Sequence, residues 1–315
     1  MRDLTPSPTL SVVIPVYKSE EIVETLLARL HSALEGIDFE ILLVNDCSPD
    51  QSWRKIEAVV DRYPRLRALS LSKNFGYDNA ILAGLNHSRG AYVVIMDDDL
   101  QHAPEDIPVL LHAIQKGGDV VYADFNVQTK KQTPLKNFGS WLNGRMAEIV
   151  IQKPRHIYLS PFKILRREVV LDITRYRGPY PYVDGLIFQN TAAISQVPLP
   201  HYARFSGHGN FGVIRSLKIM LNFCTSHSLF PLRLGIFVGV CSSLAGLLLG
   251  IYIIYLKFIA QEIEIEGWAS TVFATLFLGG IQLVFLGIIG EYVGRAYMST
   301  NENPQFRIRQ KIRVD

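Results

Sequence analysis

The sequence predicts an α/β domain with a mostly parallel sheet, followed by interfacial amphipathic helices and two transmembrane helices. Strand-like and helix-like segments alternate over residues 10–124, as in parallel sheets that are covered by helices on both faces. Two stretches near the C-terminus, residues 234–255 and 268–290, contain no charged residue. The acidic run Asp97-Asp98-Asp99 directly follows an apolar, strand-like segment. Together these observations indicate a ligand-binding α/β domain joined to a membrane anchor.

Apolar periodicity gives the order of the elements in the α/β part. Short apolar runs bounded by polar loops predict strands, and apolar residues that recur every three or four positions predict helices. Proline and acids at residues 104–106 mark the start of one helix. The predicted strands are 10–16, 39–44, 67–71, 91–96 and 119–123, and the predicted helices are 20–34, 52–63, 79–87 and one that begins near 104.

The pattern over residues 127–202 is mixed. A segment near 135–151 carries its apolar residues on one helical face and follows a basic stretch. This amphipathic helix either packs on the core or lies on a membrane surface. We place it within a cytoplasmic domain of residues 1–212, and residues 213–231 are expected to form a second, interfacial helix.

The two uncharged stretches are each long enough to cross a bilayer as a helix, since about 20 residues span about 30 Å of hydrocarbon. They belong to a predicted membrane region, residues 232–294, and an acidic loop lies between them. Arg233 precedes the first stretch, and several basic residues follow the second. The positive-inside bias then predicts a multi-pass protein of the inner, cytoplasmic membrane whose termini and α/β domain are cytoplasmic.

The last segment, residues 295–315, is a basic tail. Apolar and basic residues alternate over Gln305–Val314, which predicts a strand with one basic face. Such an edge strand needs a partner, and a neighbouring subunit is one candidate. A disordered basic tail close to anionic lipid is the other interpretation.

Bulk composition excludes some classes of function. The net charge of the 315-residue chain is only +3, which does not indicate nucleic-acid binding. The cysteines Cys47, Cys224 and Cys241 have neither paired nor metal-type spacing, which fits a reducing compartment. Residues 1–8 are short and polar, so no signal segment is expected.

The run Asp97-Asp98-Asp99-Leu100-Gln101 predicts a metal–diphosphate site. Three acids at the end of an apolar strand are costly to bury unless a positive charge neutralises them. Hard oxygen ligands suit Mg²⁺ or Mn²⁺, and Mg²⁺ is usually held by one or two carboxylates together with substrate phosphates. Open α/β sheets also bind ligands at the carboxyl ends of their strands. The alternative interpretation is a solvated acidic turn.

Three other predicted strands end in polar loops at the same sheet edge. These loops are Pro15-Val16-Tyr17, Asn45-Asp46-Cys47-Ser48 and Lys73-Asn74-Phe75-Gly76. An acid there can accept hydrogen bonds from a ribose or a base, a tyrosine ring can stack, and a lysine can lie beside phosphates. No G-x-G-x-x-G follows a predicted strand, and the chain contains no G-x-x-x-x-G-K-[ST], no G-x-S-x-G and no zinc-type spacing.

These four motifs, in this order, resemble family 2 glycosyltransferases of the GT-A fold. The resemblance is closest to polyprenyl-phosphate glycosyltransferases, such as dolichyl-phosphate mannose synthase and the bacterial enzymes that load glucose or a modified arabinose onto undecaprenyl phosphate. It extends over nearly the whole chain, including Gly287–Arg295 beside the second uncharged stretch. It implies inverting transfer of a sugar from a nucleotide-diphosphate sugar, by analogy a UDP-sugar, to a membrane polyprenyl phosphate. The products of such enzymes serve cell-envelope glycan or lipopolysaccharide modification, and relatives of this type suggest a homotetramer.

The resemblance also implies roles for individual residues. Asp97 and Asp99 are similar to the catalytic, metal-contacting pair, with Gln101 as an additional ligand of Mg²⁺ or Mn²⁺. Asp98 is similar to the variable middle position. The expected nucleotide contacts are Pro15, Tyr17, Asp46, Ser48, Lys73, Gly76 and Asp98.

One stretch departs from the family pattern. Where the family carries an acid and an arginine in a G-D-F-R-like stretch, this chain has Pro161 and Lys163. Lys163 is the third candidate catalytic residue, and it can contact a phosphate as a point charge, without the bidentate geometry of arginine. A general base is less necessary here, because a phosphate monoester with a second pKa of about 6 is already largely ionised at neutral pH.

Several charged residues have both a functional and an ordinary interpretation. Asp184 either contacts the sugar or is an acid at the start of a helical run, residues 186–193. The candidates for the acceptor phosphate are basic residues that are otherwise ordinary surface charges, namely Lys136, Arg145, Lys163 and Arg204.

Two alternative functions remain open from sequence. A processive membrane polysaccharide synthase shares the fold, but its Q-x-x-R-W motif is not present in this chain. A non-catalytic membrane scaffold on a GT-A fold is compatible with the altered Pro161 and Lys163 positions. The sequence also leaves open which sugar is transferred and whether the donor carries uridine or guanosine.

Overall fold

The computed structural model describes residues 8–125, 154, 157–178, 180–200, 230–255, 267–300 and 304–314. The chain divides into two units, one of residues 1–212 with 302–315 and one of residues 213–301. The predicted helix at 135–151, residues 213–229 of the predicted helix at 213–231, and the candidate residues Lys136, Arg145 and Arg204 lie outside the described residues.

The first unit contains an eight-stranded sheet among its described residues, in the order β7-β5-β6-β4-β1-β2-β3-β8. Strand β1 pairs in parallel with β2 and β4, and β2 pairs in parallel with β3. Strand β6 is antiparallel to β4 and β5, and β7 is parallel to β5. The strands are β1 Leu10–Val16, β2 Phe39–Asn45, β3 Leu66–Leu71, β4 Tyr92–Ile95, β5 Val120–Asp124, β6 Lys163–Arg166, β7 Ile194–Pro198 and β8 Ile308–Ile312.

Helices cover both faces of this sheet. Helices α1, α2 and α4 pack on one face, and α3, α5 and α6 pack on the other. Every residue of β1, β2 and β3 is buried, which explains why these strands are nearly continuous apolar runs. The helices are α1 Val23–Ala33, α2 Ser52–Val59, α3 Tyr77–His87, α4 Ile107–Gln115, α5 Arg167–Ile173 and α6 Val183–Asn190, with 3₁₀ turns at Val60–Arg62 and Pro104–Asp106.

Helix α3 lies unusually close to the sheet. A Cβ on Gly84 would lie 2.3 Å from Cγ1 of Val13 and 3.2 Å from Cγ2 of Val44. Only glycine permits this approach, because any side chain would have to displace the valines. The close packing holds the later part of α3 against β1 and β2.

The predicted strands in the first 124 residues are confirmed, with small shifts at their ends. The predicted helical run over 186–193 is wrong at its end, because α6 stops at Asn190 and the chain enters β7. Strands β6 and β7 were not predicted. Each has only four or five residues, so neither shows a clear alternation of its own.

The C-terminal tail forms β8, which pairs antiparallel with β3 of the same chain. The partner that this edge strand needs therefore lies within its own chain, in contrast to the expected neighbouring subunit. The prediction of a single basic face is also wrong. A register shift beside Arg309 places Ile308 against one helical layer and Ile312 against the other.

The described residues of the second unit form two long helices, α7 Phe230–Tyr255 and α8 Trp268–Thr300. They occupy both segments that were predicted to span a membrane. By length and composition, the described residues contain one candidate span, Phe277–Met298, with a mean hydropathy of 1.6. This span lies further along the chain than the predicted 268–290. It includes Glu291 and Arg295, whose side chains form an ion pair at 2.6 Å.

Candidate functional site

The loops that follow β1, β2, β3 and β4 meet at one edge of the sheet, because these four strands are mutually parallel. We call them the Tyr17 loop (residues 17–19), the Asp46 loop (46–52), the Gly76 loop (72–76) and the acid loop (97–101). The convergence predicted from the motifs is therefore present in the structure.

Backbone strain is concentrated in three of these loops. Lys18, Cys47 and Leu100 have φ values of 60°, 50° and 58°, a region that non-glycine residues rarely occupy. Each such residue costs about 1–3 kcal/mol, which persists only when the surroundings hold the backbone in place. Strained residues cluster where the geometry of side chains matters, so this edge is a functional-site candidate on backbone evidence alone.

Asp46 joins the Asp46 loop to the Gly76 loop. Its Oδ1 accepts a hydrogen bond from the Phe75 backbone at 2.7 Å, and its Oδ2 accepts one from the Gly76 backbone at 2.9 Å. Burial raises the pKa of Asp46, and these two N–H groups oppose the rise. Gly76 has a φ of 92°, a conformation that glycine adopts without strain. The two residues predicted as nucleotide contacts are thus in direct contact with each other.

The first and third acids of the acid loop are held by different donors. Asp97 Oδ1 accepts a 2.7 Å hydrogen bond from the hydroxyl of Tyr77, the first residue of α3. Asp99 Oδ1 accepts a 3.0 Å bond from the Gln101 backbone, which brings the predicted ligands Asp99 and Gln101 together. Tyr77 was missed by the sequence analysis, although it directly follows the Lys73–Gly76 motif.

The middle acid has a different environment. Asp98 Oδ2 accepts hydrogen bonds from the Tyr17 backbone at 3.2 Å and from the Ser19 hydroxyl. Burial raises the pKa of Asp98 to about 6, the Ser19 and Tyr17 donors lower it, and Asp97 and Asp99 raise it further. Asp98 therefore faces the Tyr17 loop, whereas the sequence analysis had counted it among the nucleotide contacts.

The remaining predicted nucleotide contacts differ in exposure. Pro15 is buried within β1, whereas the Tyr17 side chain is 45% exposed and Lys73 is exposed. The Lys73 ammonium lies 4.9 Å from the centre of the Phe75 ring. Ser48 accepts a 2.7 Å hydrogen bond from the Lys18 backbone and links two loops. Tyr17 and Lys73 are therefore the members of this set that an incoming ligand can reach most directly.

Lys163 and Asp184, which were assigned separate roles, form an ion pair. The Lys163 side chain on β6 is 3% exposed and its ammonium bonds Asp184 Oδ1 on α6. The same carboxylate oxygen accepts a 2.8 Å hydrogen bond from the Tyr122 hydroxyl. This contact was not predictable from sequence, because β6 was not recognised as a strand. Lys163 and Asp184 are also 21 residues apart in the chain.

Asp78 is a second, partly buried acid in this region. Its Oδ1 accepts a 2.9 Å hydrogen bond from the Val183 backbone, which connects α3 to the start of α6. Burial raises the pKa of Asp78 to about 6, and the charge of Asp184 raises it, while the Val183 N–H and Lys163 lower it. Sequence reasoning missed Asp78, which belongs to no motif that we recognised.

The donor set decides what kind of metal the site can hold. No group of three or more His, Cys, Asp or Glu side chains within the described ranges is arranged to hold a metal ion. The acid loop instead offers two carboxylates, Asp97 and Asp99. Mg²⁺ is typically held by one or two carboxylates plus substrate phosphates, so the residues fit a cation that binds together with a diphosphate.

A cavity of about 360 Å³ lies beside the Tyr17 and Asp46 loops. Its lining comes from the two loops and the turn before α1, and none of the three acids of the acid loop contributes to it. The lining residues are Lys18, Ser19, Glu20, Glu21, Ile22, Pro49 and Asp50.

A mostly parallel sheet with acids at the carboxyl ends of its strands is the arrangement expected of the GT-A class of glycosyltransferase folds. The family model described as Glycosyl transferase family 2 matches residues 11–174, and the chain belongs to this family. The family predicted from the motifs is therefore confirmed.

Two relatives and one solved structure illustrate the similarity. Undecaprenyl-phosphate 4-deoxy-4-formamido-L-arabinose transferase of Pseudomonas aeruginosa is 32% identical over 317 residues, covering 98% of this chain and 92% of that protein. Bactoprenol glucosyl transferase of Shigella phage SfX is 29% identical over 307 residues, covering 96% of this chain and 99% of that protein. Glucosyl-3-phosphoglycerate synthase from Mycobacterium tuberculosis, crystallised with Mn²⁺, UDP and phosphoglyceric acid, matches with a TM-score of 0.53 at 17% identity. This match covers 69% of this chain and 76% of the synthase, and it shows the fold.

Proposed function

We propose that the protein transfers a sugar from a nucleotide-diphosphate sugar, preferably a UDP-sugar, to the phosphate of undecaprenyl phosphate. The product is a lipid-linked sugar for cell-envelope glycan or lipopolysaccharide modification. The observation that carries the proposal is the similarity to transferases named for undecaprenyl phosphate and bactoprenol, which extends over 96–98% of this chain. The similarity therefore includes the long helices as well as the α/β unit.

The chemistry of the acceptor explains why this chain manages without an acid at Pro161. A phosphate monoester with a second pKa of about 6 is largely a dianion at neutral pH and needs no base to become a nucleophile. Its oxygen attacks the anomeric carbon in line, the bond from that carbon to the donor diphosphate breaks, and the nucleoside diphosphate leaves with the electron pair. The configuration at the anomeric carbon inverts. The protein then has to align two anions and hold them together.

Asp97 and Asp99 are the residues that we assign to a divalent cation, Mg²⁺ or Mn²⁺, with Gln101 as an additional ligand. Such a cation supplies positive charge against the charge that develops on the leaving diphosphate. The Tyr77 hydroxyl orients Asp97, and the Gln101 backbone orients Asp99. This assignment is supported by the position of the loop at the end of β4 and by a donor set that suits a cation shared with phosphates.

We assign the nucleotide to the loops beside the acid loop. Tyr17 offers an exposed ring for stacking, and Lys73 offers a cation near the diphosphate. Asp46, Ser48 and Gly76 hold these loops in fixed positions relative to one another. Lone pairs on the Asp46 oxygens can still accept hydrogen bonds from the ligand.

The roles of Lys163 and Asp184 follow from their ion pair. A phosphate that approaches Lys163 has to compete with Asp184 for the same ammonium, so we infer that the pair acts as a unit beside the sugar and acceptor. The cations Lys136, Arg145 and Arg204 remain candidates for the acceptor phosphate on sequence grounds.

We further propose that α7 and α8 anchor the enzyme in the inner membrane as two spans, with the catalytic unit and both termini in the cytoplasm. The uncharged segments, the acidic loop between them and the basic flanks support this topology. A homotetramer is proposed from the family resemblance.

The decisive experiment is a donor screen with the purified full-length protein in detergent. The protein is incubated with undecaprenyl phosphate, Mg²⁺ or Mn²⁺, and a panel of UDP- and GDP-sugars, and glycolipids are followed by mass spectrometry. We expect one lipid-linked sugar, whose formation stops with EDTA. A lipid carrying many sugars would favour a processive synthase. Folded protein that neither forms a product nor binds any nucleotide would contradict the proposal and favour a scaffold.

A further inference from the structure

The Tyr17 loop is held in place by side chains from other loops at three successive backbone positions. The N–H of Tyr17 donates to Asp98 Oδ2 at 3.2 Å, the N–H of Lys18 donates to Ser48 Oγ at 2.7 Å, and the N–H of Ser19 donates to Ser52 Oγ at 3.0 Å. All three N–H groups of this stretch therefore have an acceptor. Here the acceptors come from the protein itself.

This arrangement explains how the loop retains a strained conformation. Lys18, at the centre of the three positions, has a φ of 60°. Such a conformation persists only when its neighbours over-determine it, and the three side-chain acceptors provide that restraint. The result is a rigid backbone that presents an exposed ring, since the Tyr17 side chain is 45% exposed while Ser19 is only 4% exposed.

The acceptors are themselves connected. Ser48 Oγ donates to Asp50 Oδ1 at 2.5 Å, and Ser52 Oγ donates to the same oxygen at 2.6 Å. On the other side of the loop, the Ser19 hydroxyl donates to Asp98. A continuous network of two aspartates and three serines therefore links the acid loop, the Tyr17 loop and the Asp46 loop.

The acid loop joins this network through Asp98. One oxygen, Oδ2, accepts both the Tyr17 N–H and the Ser19 hydroxyl. Asp97 and Asp99, one residue to either side, have donors of their own in Tyr77 and Gln101. Any shift of Asp98 would therefore be transmitted both to the two assigned metal ligands and to the loop that carries Tyr17.

We propose that Asp98 is a positioning residue that fixes the Tyr17 loop relative to the acid loop, so that the nucleoside and the metal-bound diphosphate of one donor meet their contacts simultaneously. This inference rests on the proposed function. It assigns Asp98 a role as hydrogen-bond acceptor within the protein, where the sequence had suggested a contact to the nucleotide. It also gives Ser19, to which the sequence had drawn no attention, a place in donor binding.

The test compares variants that remove the hydrogen bonds with one that removes only the charge. Asp98→Ala and Ser19→Ala each lose bonds of the network, whereas Asp98→Asn keeps an oxygen that can accept both of them. We expect Asp98→Ala to raise the donor KM about tenfold and Ser19→Ala about fivefold, with much smaller effects on kcat. Asp98→Asn should recover most of the Asp98→Ala loss. The double variant should be no worse than Asp98→Ala alone, because both changes break the same link.

Asp172→Asn provides the matched control, since Asp172 is a surface acid in an exposed ion pair with Arg175. Donor KM, kcat and the Kd of UDP with Mn²⁺ are measured for each full-length variant, and the thermal midpoint reports whether it is folded. If Asp98→Ala fails to fold, Ser19→Ala and Asp98→Asn still decide the matter.

The inference is overturned if Asp98→Asn is as impaired as Asp98→Ala while Ser19→Ala matches the wild type, because Asp98 would then act through its charge on the ligand. It is equally overturned if kcat falls and KM does not change. A wild-type protein that binds no nucleotide would instead contradict the proposed function, so the two failures are distinguishable.

Discussion

Glu40 at one edge of the sheet and the acids Asp46 and Asp98 at the other are stabilised by different kinds of partner. At the amino ends of the strands, Glu40 accepts hydrogen bonds from Ser11 Oγ and the Arg89 backbone and forms a 2.6 Å ion pair with Arg67. Both side chains of that pair are less than 10% exposed. At the carboxyl ends, Asp46 and Asp98 receive their hydrogen bonds from backbone N–H groups and a serine hydroxyl.

This difference indicates that Glu40 serves the stability of the fold, whereas Asp46 and Asp98 belong to the candidate site. A buried charge is tolerated when a partner neutralises it, and Arg67 does so for Glu40 within the protein. Within the described residues, the groups that shift the pKa of Asp98 are burial, neutral donors and other acids. The Asp46 loop and the acid loop therefore concentrate negative charge, whereas Asp184 is already paired with Lys163. This fits a site at these loops that receives its cations together with the ligand.

The largest expected effect is at the carboxyl edge. Asp97→Asn and Asp99→Asn should each reduce turnover by roughly 10³-fold, because a cation at the leaving group is worth several kcal/mol in the transition state. The thermal midpoint should fall little, since asparagine keeps an oxygen that can accept the hydrogen bonds from the Tyr77 hydroxyl and the Gln101 backbone. Near-normal turnover in either variant, measured by glycolipid formation, would refute the metal assignment.

A comparable change at the amino edge should affect stability instead of activity. Arg67→Met leaves the buried Glu40 carboxylate without its partner and should lower the free energy of unfolding by about 3–5 kcal/mol. Arg175→Met, in an exposed pair, should cost less than about 1 kcal/mol. Chemical denaturation measures both changes.

The double variant Glu40→Gln with Arg67→Met should recover part of the loss, because the unpaired charge is then removed. If Arg67→Met lowered the kcat of its folded fraction by more than about tenfold while leaving stability intact, the division of roles between the two edges would be wrong.

A smaller effect is expected for Tyr77→Phe, which removes only the hydroxyl that donates to Asp97. Partners that orient a metal ligand typically contribute about tenfold or more to metal affinity. The Mn²⁺ concentration for half-maximal activity should therefore rise about tenfold. Tyr180→Phe, at another half-exposed tyrosine, serves as the control and should leave this concentration unchanged.

The smallest effect concerns pH. Burial raises the pKa of folded Asp78 to about 6 from an ordinary value of 3.8, so the folded state binds its proton more tightly than the unfolded state. The ionised acid therefore lowers stability above pH 6, and this penalty disappears as the pH falls toward 4. Asp78→Asn, which keeps the acceptor for Val183, should be more stable than the wild type by on the order of 1 kcal/mol at pH 7.5. The two proteins should converge near pH 4, and a constant difference across this range would refute the assignment.

The parts predicted from sequence are those that local patterns determine. Strands β1 to β5 are apolar because both of their faces are buried, and the polar loops that follow them carry the site motifs. Parallel pairing then brings the loops together without further information. These features account for the fold of the first 124 residues and for the location of the site.

The parts that were missed depend on distant contacts. Lys163 and Asp184 meet only because β6 lies antiparallel between β4 and β5. The tail has its partner in β3, more than 230 residues away, and a register shift changes which face Ile312 occupies. The three consecutive acids look alike in sequence, and only the three-dimensional position of the Tyr17 loop gives Asp98 a different role from its neighbours.

The central claim is that the carboxyl edge is an acidic site completed by a divalent cation and a nucleotide. Calorimetric titration of UDP into the full-length protein, with Mn²⁺ and then with EDTA, tests it most directly. We expect binding with Mn²⁺, loss of most affinity with EDTA, and the same loss in Asp99→Asn with Mn²⁺ present. Equal UDP affinity in all three conditions would contradict the account.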